Sequence, residues 1–470
     1  MNVYVPGRDA VDDFALANGM PVNVARLALG LVVCCLVAPL SHAWSNPTTR
    51  HVSNIVLGVA IGWFVFDVNL IHSIVPTLAT YGFVHFAPRA LAGRLTAVVL
   101  FAHLIGAHIY REFFGADIMW DAAQMVLTLK LTGTAMSYGD GALPDGKKSL
   151  AIRTNQLVKA PSLLALCGYV YFFPTFLVGP IFEFNEYERW VHDRRVAPVG
   201  AILPKIGLLL VCIIGHGISE VYLPIAKMDT PAFYPDASFL QRLVLQLLAC
   251  DFYKFRFYMV WQFGEVGGVL AGYGYDPTTQ TWNGLQNNNL CIVEVPVNFR
   301  VAVNNWNMKV QKWLNTYIYQ RVGLQDGKPT TLSTFSVFVA SAAWHGLLPG
   351  YYVFFVTAGI GIEVGRHLRR RLRPYFHYTE DRQAHPWAIF LEFLDPKKAS
   401  PLAILYDVGG LVVCWVTVYY SAPSFFWLDI PRCMQWWSTM YFAPHIALIV
   451  LLLGFTLLKP SSNAAKSKAA

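Results

Sequence analysis

Ser341-Ala-Ala-Trp344-His345-Gly346-Leu-Leu-Pro349-Gly350 lies inside a run from Phe335 to Ile362 that is otherwise almost wholly apolar or small. Chain of that composition reads as membrane-embedded helix, because hydrocarbon forces every backbone group to be satisfied within the segment. The histidine is the exception. An ionisable side chain at membrane depth is expensive and ordinarily faces a cavity or a partner. Imidazole is also the side chain best suited to take a proton near neutral pH. Gly346, Pro349 and Gly350 predict a bend or opening of the backbone beside it, which is tolerated where a cavity or adjoining helices satisfy the freed groups. A lone histidine on an apolar face is also compatible with a purely structural role.

The rest of the chain is of the same kind. Its 470 residues are 55% hydrophobic and 14% charged, with mean hydropathy +0.42, against about 25% charged residues in soluble domains. The apolar sequence runs along the whole length and predicts one all-α, polytopic membrane domain over residues 1–470. The candidate segments are 23–41, 53–78, 92–112, 160–180, 201–224, 236–250, 331–345, 351–365, 403–421 and 440–458, so about ten or eleven transmembrane or re-entrant helices are expected. Residues 1–20 form a polar N-terminal segment with Asp9, Asp12 and Asp13. It has no basic stretch followed by an apolar core, so no secretory signal is expected. The charge is 36 − 28 = +8. Arg366 to Arg373 and the basic tail 459–470 are expected on the cytoplasmic side by the positive-inside rule; such a cluster also suits anionic headgroups or an acidic ligand. Nothing points to nucleic acid. The eight cysteines form no CxxC pair or metal-spaced set and read as free thiols.

Residues 251–330 are the polar middle of this apolar chain. They contain Asn304-Asn305-Trp306-Asn307 and then Lys309 to Arg321, where basic and polar groups alternate with aromatics. That second stretch suits an interfacial helix or a docking surface for an anionic, nucleotide-like ligand. His103 and His108, spaced i, i+5, do not share one helical face as i, i+4 would. His216 lies in another apolar segment, where a structural role is expected. No HExxH, GxSxG, phosphate loop or dinucleotide fingerprint appears, and no serine or cysteine sits in a nucleophile setting, so no metal and no covalent acyl-enzyme are expected.

Trp306-Asn307-Met-Lys-Val-Gln-Lys-Trp313-Leu and Ser341-Ala-Ala-Trp344-His345-Gly346-Leu-Leu-Pro349-Gly350-Tyr351-Tyr352, with His345 and Asn307 38 residues apart (345 − 307), resemble the membrane-bound O-acyltransferase (MBOAT) family, and within it the lysophospholipid acyltransferase branch. Gln124-Met-Val-Leu-Thr-Leu-Lys-Leu131 and Phe173-Pro-Thr-Phe-Leu-Val-Gly-Pro-Ile-Phe-Glu-Phe184 extend the likeness. The resemblance implies a helical fold around a catalytic tunnel, in the endoplasmic reticulum membrane. It implies acyl transfer from acyl-CoA, a co-substrate rather than a cofactor, to the hydroxyl of a lysophospholipid. His345 would take the hydroxyl proton and Asn307 would hold the oxyanion or a reacting group. Lys312, Tyr319 and Arg321 would meet the phosphates of CoA, with Trp306, Trp344 and Tyr351 as further substrate contacts. Glu183 and Tyr187 would shape an entrance. Asn305 competes with Asn307: two positions apart on a continuous helix they lie about 200° apart, so both cannot face one cavity. The acceptor class stays open between a lysophospholipid and a sterol, diacylglycerol or protein. A transporter that relays protons through His345 is the rival of another class, though such folds often show internal symmetry that is not visible here. Oligomeric state is not legible.

Overall fold

The computed structural model describes residues 5, 7–115, 120–227, 236, 238–325, 327–376 and 401–457. Among them the chain is helical apart from links, the longest running over 271–289 with a bridge between Asp276 and Thr281, and one two-stranded ribbon, Leu324–Gln325 against Lys328–Pro329. Five helical stretches are long and apolar enough to cross a membrane: Val22–Ala43, Pro47–Phe86, Arg89–Phe114, Val199–Tyr222 and Pro401–Trp427. A third or less of each is buried. The remainder presents side chains such as Leu36, Val98 and Ile214 outward, as lipid-facing helices of a multi-pass membrane protein must. The segments 23–41, 53–78, 92–112, 201–224 and 403–421 fall on these five.

The other predicted segments take different forms. Residues 331–345 and 236–250 become the 15-residue helices Thr331–His345 and Phe239–Tyr253, about 22 Å long at 1.5 Å per residue and short of the ~30 Å hydrocarbon. Residues 160–180 are broken into Leu163–Val170 and Phe173–Phe176, with Pro174 opening the second piece. Residues 351–365 belong to Pro349–Leu372, whose second half carries Glu363 and a run of arginines. Residues 440–458 follow Ile430–Thr439 after a bend of 87°. The basic tail 459–470 lies outside the described residues.

The organising element is Asp121–Asp140, a helix with fourteen of its twenty residues buried, among them Gln124, Thr128, Lys130, Thr132, Thr134 and Ser137. A helix buried on all sides is ordinarily apolar all round; this one is not, and hydrogen bonds offset the burial cost of some of its polar side chains, though the Thr132 hydroxyl has no partner among the described residues. Thr134 Oγ1 donates to the Lys130 carbonyl at 2.8 Å. The Lys130 ammonium donates to the Tyr169 carbonyl at 2.7 Å, between the rings of Tyr169 and Phe182.

Arg89–Phe114 packs against this central helix along a stripe of Ala92, Gly93, Thr96, Leu100, Leu104, Ala107 and His108. Small residues in such a stripe let two backbones approach closely. A Cβ at Gly93 would stand 2.8 Å from Met136 Cα. Gly93→Val is therefore expected to overpack the pair and lower stability by about 1–3 kcal/mol, read as a lower melting midpoint in detergent. An unchanged midpoint would show that the helices have room to separate.

Candidate active site

His345 is the last residue of the Thr331–His345 helix. Leu347 and Leu348 then turn the chain into Pro349–Leu372. The imidazole is partly buried in an aromatic cage. It stacks on Phe355 at 5.4 Å and Tyr351 at 5.8 Å and meets Phe425 edge-on at 4.9 Å. Among the described residues it makes no hydrogen bond, so its ring nitrogens remain free to accept or donate a proton. Trp344 closes the cage edge-on at 4.7 Å; its indole N–H donates to the Met125 carbonyl at 2.9 Å, and its ring also packs in a buried cluster with Leu129, Val310 and Trp313.

The Asn-Trp-Asn stretch is not one helix, which corrects the expectation that Asn305 and Asn307 lie about 200° apart on it. Phe299–Asn305 ends, Trp306 is extended, and Asn307 starts Met308–Leu314 from the left-handed region at φ 47°. Asparagine is among the few non-glycine residues that adopt that conformation readily. Asn305 donates its amide to the Val301 carbonyl within its own helix at 2.9 Å.

Asn307 is held from outside. The buried Asn287 accepts from the Met308 N–H through its carbonyl at 2.7 Å and from the Lys309 N–H through Oδ1 at 3.1 Å. Since Lys309 N–H can only donate, the other terminal atom of Asn287 is its amide nitrogen, and it donates to Asn307 Oδ1 at 3.1 Å. The Asn307 amide NH₂ is left without a partner among the described residues, and so has two hydrogens to offer.

Both segments are pinned to the central helix. Trp313, six residues after Asn307, donates its indole N–H to the Leu129 carbonyl at 2.9 Å; Trp344 uses the Met125 carbonyl, one helical turn away. A Cβ at Gly133 would stand 3.1 Å from the Trp313 indole nitrogen, so that side chain lies directly on the helix backbone. Trp306 packs against Tyr258 and Trp261 instead.

A cleft of about 660 Å³ opens beside the Asn307 segment, lined by Arg300, Asn304, Lys309, Lys312, Tyr319 and Arg366 among others. Lys312 and Tyr319 thus come together, as the sequence suggested. Arg321 does not join them: it binds Asp140 through two parallel hydrogen bonds of 3.0 and 2.7 Å. Among the described residues the lining carries four cations and no carboxylate, although Lys312 pairs with Glu186 at 3.2 Å and Arg366 with Glu363 at 3.0 Å, both carboxylates lying outside it. Glu183 and Tyr187 are buried, with Glu183 accepting from Tyr317 at 2.9 Å and Tyr187 paired with His51 at 3.0 Å.

Lys309 falls in the stretch read as a possible docking surface for an anionic ligand, and Arg366 in the run read chiefly as a topological signal; Arg300 carried no signal in the sequence. Sequence inspection also underrated His108, which contacts the Trp344 carbonyl at 3.2 Å. The available signal was His108, Arg111 and Glu112 at helical spacing in an apolar helix, the pattern that puts polar groups on one face. His103 pairs with His72 at 3.1 Å, His216 lies near Glu220 at 3.7 Å, and no group of three metal-ligating side chains occurs among the described residues.

Asn287→Ala removes the acceptor of the Lys309 N–H and the donor to Asn307 together, so a loss of about 1–2 kcal/mol is expected. Asn305→Ala, which breaks one intrahelical bond, is expected to shift the melting midpoint less. The reverse order would contradict the Asn287 network.

The sequence model of the membrane-bound O-acyltransferase family matches residues 66–394. Relatives extend the match to nearly the whole chain. A lysophospholipid acyltransferase of Schizosaccharomyces pombe is 29% identical over 435 residues, 87% of this chain and 82% of the relative. Lysophospholipid acyltransferase 2 of Arabidopsis thaliana is 27% identical over 474 residues, covering 94% and 95%. Membrane-bound glycerophospholipid O-acyltransferase 1 of Homo sapiens is 24% identical over 483 residues, covering 95% and 91%. A match that spans most of the chain, and that contains both the Asn307 and His345 segments, shows that the chain belongs to the membrane-bound O-acyltransferase family.

Proposed function

We propose that this protein transfers an acyl chain from acyl-CoA to the free hydroxyl of a lysophospholipid, as a multi-pass enzyme of the endoplasmic reticulum membrane. The observation that carries the proposal is the pair of uncommitted groups, the His345 imidazole and the Asn307 amide, on segments anchored one turn apart on the same helix. The names of the relatives supply the acceptor class.

In this scheme His345 takes the proton from the acceptor hydroxyl, and the oxygen attacks the thioester carbonyl. The Asn307 N–H stabilises the resulting oxyanion. The C–S bond breaks, and the thiolate of CoA leaves with the proton returned from the imidazolium. The products are a phospholipid and free CoA. The aromatic cage excludes water that would otherwise hydrolyse the thioester. Lys309, Lys312, Arg300 and Arg366 suit the phosphates of CoA in the cleft. The full fold on this proposal has ten or eleven membrane-embedded helices around a tunnel that admits lipid from the bilayer and acyl-CoA from the cytoplasm.

Radiolabelled acyl-CoA offered with a panel of lysophospholipids, a sterol, diacylglycerol and a peptide tests the acceptor: label is expected in phospholipid, and label confined to sterol or peptide would falsify the proposal. His345→Ala is expected to lower transfer by about 10²–10⁴-fold and Asn307→Ala by about 10²–10³-fold, with the protein still inserted. Lys312→Glu combined with Arg366→Glu is expected to raise KM for acyl-CoA about tenfold or more while KM for the lysolipid stays near its original value. An equal rise in both would remove the cleft from acyl-CoA binding.

A further inference from the structure

The turn that carries His345 is gripped by residues from a distant helix. The Trp344 carbonyl, at the C-terminal end of the Thr331–His345 helix, is among those left without an intrahelical partner. His108 Nε2 lies 3.2 Å from it. The Leu347 N–H, just beyond the helix, donates to both carboxylate oxygens of Glu112, at 3.1 and 3.3 Å. His108 and Glu112 are four residues apart on Arg89–Phe114 and so share one face.

Arg111 ties the two together. Its guanidinium lies 3.3 Å from His108 Nδ1 and 3.0 Å from Glu112, and also pairs with Asp121 at the start of the central helix. A guanidinium only donates, so His108 Nδ1 accepts, and the proton sits on Nε2, aimed at the Trp344 carbonyl. A Cβ at Gly346 would run into the Glu112 carboxylate and the Tyr351 ring. The glycine after the histidine is therefore what lets Glu112 approach.

We propose that His108 and Glu112, braced by Arg111 and Asp121, are positioning residues that fix the direction in which His345 enters the site. The two bonds immobilise the peptide units on either side of His345 and Gly346, which sets the Cα–Cβ direction of the histidine. Phe355, Tyr351 and Phe425 then restrict the ring. Among the described residues no hydrogen bond orients the imidazole itself, so backbone and cage supply the orientation that a hydrogen-bonded carboxylate provides in other histidine bases. This inference rests on His345 being the base of the proposed reaction.

The experiment uses the full-length protein in detergent, with acyl-CoA and the best acceptor of the panel, and compares H108L with H108Q and E112A with E112Q. The leucine and alanine variants are expected to lose about 100-fold in kcat, the scale of a misplaced catalytic group, with KM for both substrates within about twofold. The amide variants, able to donate to the Trp344 carbonyl or accept from the Leu347 N–H, are expected to recover most of that loss. Undiminished kcat in H108L and E112A overturns the proposal. So does equal loss in each amide variant, or a loss carried by KM. Should H108L not accumulate as folded protein, the E112A and E112Q pair decides by the same criteria. H345A separates the two levels of inference. If it keeps near wild-type transfer, the base assignment itself fails; if it is inactive while H108L and E112A are not, only the positioning role fails.

Discussion

Two tryptophan indoles hydrogen-bonded to successive turns of one buried helix set the geometry of this protein. Trp344 on the Met125 carbonyl precedes the candidate base His345 directly, and Trp313 on the Leu129 carbonyl follows the candidate Asn307 by six residues. An indole is large and rigid and has a single N–H, so one hydrogen bond fixes both its place and its orientation in a core. The helix that receives them must be deeply buried and stiff. Its polar side chains make that possible, because Lys130 and Thr134 satisfy themselves within the protein rather than at its surface.

Around this frame several polar groups near the two candidate catalytic residues are committed to partners. Asn287 caps the Met308–Leu314 helix and holds the Asn307 oxygen. Asn305 bonds its own helix, and Arg321 closes onto Asp140. The His345 ring and the Asn307 amide NH₂ make no such bond among the described residues. Buried polar groups without partners cost about 1–3 kcal/mol. Keeping two of them partly buried and free is the sort of local penalty that functional sites carry.

Much of the helical plan was legible in the sequence. Residues 331–345 form a helix at those very bounds, and five of the predicted segments coincide with long apolar helices, because hydropathy over some twenty residues is a local property that hydrocarbon enforces. Residues 160–180 were misread as one span: Pro174 and the break around Tyr171 outweigh hydropathy that would otherwise continue. The central helix escaped the search for spans because its threonines and Lys130 lower its hydropathy, although burial is what those residues share.

His345 and the Trp-Asn segment stood out from sequence alone, since an ionisable group in apolar chain is conspicuous wherever it folds. The choice between Asn305 and Asn307 was not decidable there. What distinguishes their surroundings is a helix break at Trp306 together with Asn287, about twenty residues upstream. The roles of Lys312 and Arg321, similar in sequence, parted for the same reason: one lines a cleft and the other binds Asp140, 181 residues away. Composition and periodicity determined that this chain is helical and membrane-embedded, with a histidine conspicuous in one apolar segment, because those depend on each segment and its solvent. Tertiary structure decided which polar groups are committed and which are free, because a hydrogen bond belongs to two groups and the second, as with His108 and Trp344, is brought from 236 residues away.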